Sequence, residues 1–211
     1  MQAEQPTDLV FLVPCLDLWE TMHGLLNRPE ALGIRPISYR PFKHTLRDSG
    51  AFRGCQEMLR TEVRRARHAL VLCDQHGCGR EHLSRDELEA DMERRLAQNG
   101  WEGRSAAVVI DPEAEAWFWS DSPHVAEVLG WSSGHASLRD WLMGMGYLQP
   151  GAAKPSQPDE ALDKALRIAK KARSSSLFRH LAERVSLERC TDPAFLKLKS
   201  VLRAWFPPAA Q

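Results

Sequence analysis

Carboxylates stand wherever an apolar run of this chain comes to an end. Asp17 and Glu20 follow the run Asp8–Val13. Asp74 closes the run Ala69–Cys73, with His76 two residues beyond, and Asp111, Glu113 and Glu115 follow Ala106–Ile110. Carboxylate oxygens are the usual ligands of hard divalent cations such as Mg²⁺ and Mn²⁺. A cation held in this way can activate water or stabilise the charge that develops during phosphodiester cleavage. The candidate catalytic residues are therefore Asp74, Glu113 and Glu115, and the candidate metal ligands are Asp17, Glu20, Asp74, His76 and Glu113. Each residue also has a plainer role open to it. Asp74 can cap a turn into Gly77. Glu113 and Glu115 can be the acids of a helix start with Pro112 at its first position. His76 can be an exposed loop histidine.

These groups meet only if their elements place them on one edge. Asp8–Val13, Ala69–Cys73 and Ala106–Ile110 read as buried strands, because each is a short, continuous apolar run bounded by polar or turn residues. Gly33–Ser38 is a further short strand candidate, followed by a basic loop from Arg40 to Gly50. Helices are expected over Leu16–Leu26, Ala51–Arg67 and Ser84–Ala97, the last opened by the capping box Ser84-Arg-Asp-Glu87. Buried strands alternating with helices predict an α/β fold with a mostly parallel sheet covered on both faces. In such sheets ligands bind beyond the carboxyl ends of the strands, where the acids stand. After Gly130 the pattern is helical throughout, over Ser137–Met145, Asp159–Arg173, Ser176–Arg184 and Pro193–Trp205. The expected organisation is an α/β domain over residues 1–148, a linker or loop over 149–158, and a helical extension over 159–211 packed on it.

Composition excludes more than it selects. The 211 residues carry 28 Lys+Arg and 28 Asp+Glu, so net charge drives the chain toward neither nucleic acid nor membrane. No apolar run approaches the length of a bilayer span, and residues 1–8 lack the basic start of a secretory leader, so a cytoplasmic protein without membrane partners is expected. The five cysteines are odd in number and scattered, which fits free thiols. Phosphate-cradling glycine loops of the P-loop and dinucleotide types are missing, as is a nucleophile elbow. Charge is nevertheless segregated locally. Residues 34–68 and 164–189 are rich in arginine and lysine, and Arg64, Arg65, Lys170, Lys171 and Arg173 are candidates for contacting phosphate or nucleic acid. Solvated helix faces are the alternative. Trp131 and Trp141 could together form a protein-binding surface.

The order of these elements, with Pro112-Glu-Ala-Glu-Ala-Trp-Phe-Trp-Ser-Asp121 after the last strand, resembles a prokaryotic family with a TOPRIM-like domain encoded in mobile and defence gene clusters. The tail matches as well. A Pro158, Ala161, Leu162 opening leads to Arg173-Ser174, then Leu181–Val185, then a last helix over Phe195–Trp205. The resemblance implies a TOPRIM-like fold and a component of a methylation-associated defence system against bacteriophage, with other defence proteins as partners. TOPRIM domains hold Mg²⁺ through a Glu after the first strand and an Asp-x-Asp after a later one. Here Asp74 takes the first Asp position and His76 the second, while Pro14-Cys15-Leu16-Asp17 replaces the usual Glu-Gly element. Two functions follow from the resemblance: an accessory subunit that binds nucleic acid or protein partners, or a nuclease dependent on Mg²⁺ or Mn²⁺.

Overall fold

The structure, a computed structural model, describes residues 6–120, 122–132, 134 and 136–208. Four strands, β1 (Thr7–Val13), β2 (Tyr39–Lys43), β3 (Ala66–Asp74) and β4 (Ser105–Ile110), form one sheet in the order β2-β1-β3-β4. Every pairing is parallel, with Leu9 opposite Tyr39 and His68, and Leu70 opposite Ala106. The fold is therefore α/β with a parallel sheet, as the three apolar runs predict. The second strand lies later than expected. Tyr39–Lys43, which runs into the stretch read as a basic loop, pairs with β1, whereas Gly33–Ser38 forms no strand and meets β1 only through Ser38, whose carbonyl accepts from the Leu9 N–H. Its short, half-exposed, charged sequence suits an edge strand and hides it from a pattern search for buried runs.

Alternation along the strands sends side chains to two cores. Leu9, Phe11, Leu70, Leu72, Val108 and Ile110 enter one, whereas Val10, Leu12, Val71, Cys73, Ala107 and Val109 enter the other. Helices α3 (Arg47–Leu59) and α4 (Arg85–Leu96) cover the second face through Cys55, Leu59, Leu88, Met92 and Leu96. The first face is covered by α1 (Leu16–Leu26), with α2 (Pro29–Leu32) beside it, and by the C-terminal helices α7 (Pro158–Ile168), α8 (Ser175–Arg184) and α9 (Pro193–Trp205). Two short helices, α5 (Pro123–Leu129) and α6 (Leu138–Gly144), lie between. Of these, α5 was not expected from the sequence. Sheet and C-terminal helices thus share one continuous core.

Boundaries moved for local reasons. The helix expected over Ala51–Arg67 begins at Arg47, ends at Leu59 and passes through a short turn at Arg60–Glu62, because β3 already starts at Ala66. The helix expected to reach Arg173 stops at Ile168, and Lys170 takes a left-handed φ of 52°. The capping box at Ser84 forms as expected: Glu87 N–H donates to Ser84 Oγ and Ser84 N–H to Glu87 Oε2. The acidic face of α4 does more than meet solvent. Glu93 and Glu89 accept from the N–H groups of Ala107 and Val109 on edge strand β4 at 3.0 and 2.9 Å, and Lys197 of α9 bridges both carboxylates. The open edge of the sheet is thereby blocked by side chains.

The α1–α8 contact aligns the two layers. Arg28 donates to the carbonyls of Ala182 and Val185 at 2.8 and 2.9 Å, satisfying the end of α8. Gly24 permits the close approach: a Cβ there would lie 2.7 Å from both Ala182 Cβ and the Arg179 carbonyl oxygen. Backbone cannot yield as a flexible side chain can. Gly24→Ala is expected to cost about 1–3 kcal/mol through overpacking. A urea melt with an unchanged midpoint would refute this.

Candidate functional site

Because the strands are parallel, the segments after β1, β3 and β4 emerge on one edge, beside the β1–β3 junction where the strand order reverses. This is the position at which open α/β sheets bind ligands. The acids gather there, but around a cation supplied by the chain. Arg173, between α7 and α8, donates to Glu115 Oε1 at 2.5 Å and Asp163 Oδ1 at 2.9 Å, and bonds Asp159 as well. Its guanidinium also lies 3.8 Å from Asp17 Oδ2. A planar fork with five donors can serve several carboxylates at once. Burial works against the charge on Arg173, but the surrounding carboxylates overcome it and strengthen its hold on the proton.

The expected site residues divide accordingly. Asp17 belongs to the cluster and also accepts from Ser175 Oγ at 2.5 Å. Glu20 faces away and pairs with Arg179 at 3.3 Å. Glu113 accepts from the Asp159 N–H at 3.0 Å, capping the start of α7, and its other oxygen lies 3.6 Å from Nδ1 of the exposed His76. Glu115 is buried, with 8% of its side chain accessible. Burial raises its pKa to about 7 in spite of Arg173, helped by repulsion from Asp159 and Glu113. Both motif glutamates therefore tie the strand edge to the C-terminal helices. Pro112 does not start a helix as expected. The Asp111–Pro112 peptide is cis, and a single 3₁₀ turn, Ala114–Trp117, follows. Trp117, Phe118 and Trp119 are buried among the same helices; Trp117 donates to Asp192 Oδ1 and Trp119 to the Pro158 carbonyl. Asp121, the last residue of the motif, lies outside the described residues.

Asp74 differs from the others. The residue is half-buried, yet its Oδ1 is inaccessible and, among the described residues, has no hydrogen-bond partner. Its backbone N–H donates to Asp48 Oδ1 at 2.8 Å. Burial, then repulsion from Asp48, Glu115 and Glu113, pushes the Asp74 pKa well above the usual carboxylate range. Burial raises that of Asp48 too. Two acids that resist ionisation side by side would share a proton or a cation. Asp48 was missed in the sequence because it opens a helix within a stretch read as basic loop. Asp159 and Asp163 were missed because nothing in the sequence announces which helix faces the strand ends. Among the described residues, no group of three or more His, Cys, Asp or Glu is arranged to hold a metal ion.

The basic candidates lie on opposite edges. Arg64 and Arg65 precede β3, whereas Arg173 stands beyond the strand ends, and the nine residues of β3 span ~30 Å. Arg60, Arg64 and Arg65 border a shallow hollow with Asn99. Lys171 donates to the Val128 carbonyl, and Lys170 is exposed in the turn after α7. Trp131 and Trp141 pack on each other, ring centroids 5.0 Å apart, and both are half-buried against the core rather than open as a surface. All five cysteines are free, and burial lifts the thiols of Cys15 to about 12 and of Cys55 and Cys190 to about 11, so none of these three is poised as a nucleophile.

The fold and the site define an α/β protein with a parallel sheet, a carboxylate-rich strand edge and a helical C-terminal layer. No family model, no curated protein and no solved structure matches the chain. Among the described residues, no helix is long and apolar enough to cross a membrane.

The raised Glu115 pKa has a definite sign in stability. An acid that titrates higher in the folded state stabilises the fold fully below its unfolded value of 4.5, and this contribution is lost as pH rises to about 7. The shift corresponds to at most about 3 kcal/mol. Unfolding free energy should therefore decline from pH 4.5 to 7 in the wild type and decline less in Glu115→Gln. Urea melts giving the same pH slope for both proteins would rule this out.

Proposed function

We propose that this chain is a TOPRIM-like accessory subunit of a methylation-associated anti-phage defence system, binding nucleic acid alongside other defence proteins. The observation that carries the non-catalytic reading is Arg173. Its guanidinium takes up Asp17 and Glu115, two of the acids that a metal-dependent nuclease would turn toward a cation, together with Asp159 and Asp163 of α7. His76 in place of a second aspartate favours the same reading, since imidazole suits Mg²⁺ poorly. The motif glutamates then serve the fold. Nucleic acid would meet the opposite edge, where Arg60, Arg64 and Arg65 cluster. Glu62, the buried acid there, is taken by Arg40 and Arg65, while among the described residues Arg60 and Arg64 have no carboxylate partner. Such arginines attract phosphate without reading sequence.

A second reading, a Mg²⁺- or Mn²⁺-dependent phosphodiesterase, draws support from one feature. The buried, unpartnered Asp74 Oδ1 beside Asp48 is the kind of oxygen a divalent cation would satisfy. Asp74 and Asp48 would hold the ion. The ion would supply Lewis acidity toward a phosphoryl oxygen.

Plasmid nicking and DNA binding separate the two readings. The accessory reading expects no cleavage with Mg²⁺ or Mn²⁺. It expects binding that weakens with salt, with the salt slope reduced by about two in the double variant Arg60→Ala, Arg64→Ala. Mn²⁺-dependent nicking that disappears in Asp74→Ala would establish the nuclease instead. Arg173→Ala supplies an independent check. Removing this cation leaves Glu115 buried without its counter-charge while the other partners stay solvated, so it should destabilise the protein by about 1–3 kcal/mol, and Mn²⁺ should raise the melting temperature of this variant more than that of the wild type. An equal Mn²⁺ effect on both would show that Arg173 does not stand in for a cation.

A further inference from the structure

We propose that the chain also binds a small amphipathic anion, an apolar ring or chain bearing one carboxylate, sulfonate or phosphate head, in a cavity walled by α5, α6 and the segment leading to α7. The cavity measures about 430 Å³ and is lined on its apolar side by Val125, Ala126, Leu138, Leu142, Leu148 and Pro155. A second hollow of about 390 Å³ adjoins it, sharing Trp119, Ser120, Arg139, Ala153 and Arg189 and adding Lys154. Volumes of this size hold small molecules, and a mostly apolar wall with a few converging polar groups is the usual composition of such sites.

Apolar side chains of α5 and α6 line the cavity together with the cap serines Ser122 and Ser137, and the residues shared with the second hollow include Arg139 of α6 and Arg189, with Lys154 in the second hollow. Among the described residues Arg139 makes no ion pair; its guanidinium donates to the Ala152 carbonyl at 2.9 Å, leaving further donors of its fork for a ligand. Among the described residues, the one carboxylate lining the second hollow, Asp192, is already engaged by Lys154, the Trp117 indole and the N–H groups of Ala194 and Phe195. An anionic head at the shared wall would meet Arg139, while the apolar body fills the space beside Val125, Leu138 and Leu142. This site is remote in composition from the carboxylate edge and does not depend on how that edge functions.

The test uses 1-anilinonaphthalene-8-sulfonate as the anionic probe and N-phenyl-1-naphthylamine as its uncharged counterpart, followed by fluorescence on the full chain. Saturable one-site binding of the sulfonate is expected, weakened about ten- to hundredfold by Arg139→Ala. Binding of the uncharged probe should be indifferent to Arg139→Ala, and Ala126→Trp, which fills the cavity, should abolish binding of both. Circular dichroism melts establish that each variant is folded; should Ala126→Trp unfold, the Arg139→Ala comparison decides alone. No saturable binding of the sulfonate, or equal affinity in wild type and folded Arg139→Ala, would overturn the proposal.

Discussion

A parallel sheet has two faces to bury, and the helices that connect these strands cover only one of them well. Helices α3 and α4 close the face formed by Val10, Leu12, Val71 and Val109, while α1 and the one-turn α2 are all that the connections provide for the other. The rest of the molecule follows from that shortfall. Phe11 is covered by Trp19 and His23 of α1, but α9 packs directly on β4 and α8 on α1, so the rest of this face depends on the C-terminal layer, and each fully buried side chain of this kind contributes about 1.5–3 kcal/mol. The C-terminal helices are therefore part of the sheet's own core, not an appendage beside it.

The chain must cross from the last strand to this second layer, and residues 112–119 make the crossing. Trp117, Phe118 and Trp119 are carried inward, and their polar ends find Asp192 and the Pro158 carbonyl. Large aromatic rings whose N–H groups are satisfied make strong anchors. Once they are buried, the two glutamates that precede them are drawn to the same junction. Glu113 then caps α7, and Glu115 needs a counter-charge, which Arg173 provides. Such a pair, buried only on the Glu115 side, adds little net stability, but removing Arg173 would leave Glu115 buried without a counter-charge. The network thus sets how α7 and α8 sit against the strand ends more than it sets how stable the protein is.

This arrangement distributes three chemistries over three places. The strand-end edge is rich in carboxylate and holds an internal cation. The opposite edge bears arginines around a shallow hollow. The α5–α6 region holds an apolar cavity with a cationic wall. Only at Asp74, whose buried oxygen is unpartnered beside Asp48, does the first of these leave a charge requirement unmet. Whatever satisfies it, a proton or a cation, is decided by two acids that resist ionisation together.

Much of the architecture was legible in the residues. The apolar runs at β1, β3 and β4, the capping box at Ser84, and the ends of α1 and α9 are local signals, written by side chains a few positions apart. From the runs alone came the parallel sheet, and from parallelism came the shared edge on which the acids stand. β2 escaped notice because an edge strand need not be apolar, and α5 because its seven residues are too few to show a period. The assignment of the acids could not be read at all. Asp17, Asp74, Glu113 and Glu115 look equivalent in sequence, yet Glu113 caps a helix 46 residues away and Glu115 meets an arginine 58 residues away. Of these four acids, only Asp74 keeps a buried oxygen without a partner among the described residues. Sequence determined that Asp17, Asp74, Glu113 and Glu115 reach the edge, because they directly follow strands whose runs are local signals. Tertiary structure decided what each group does there, because a buried charge takes its role from whichever partner the packing of distant helices brings within reach.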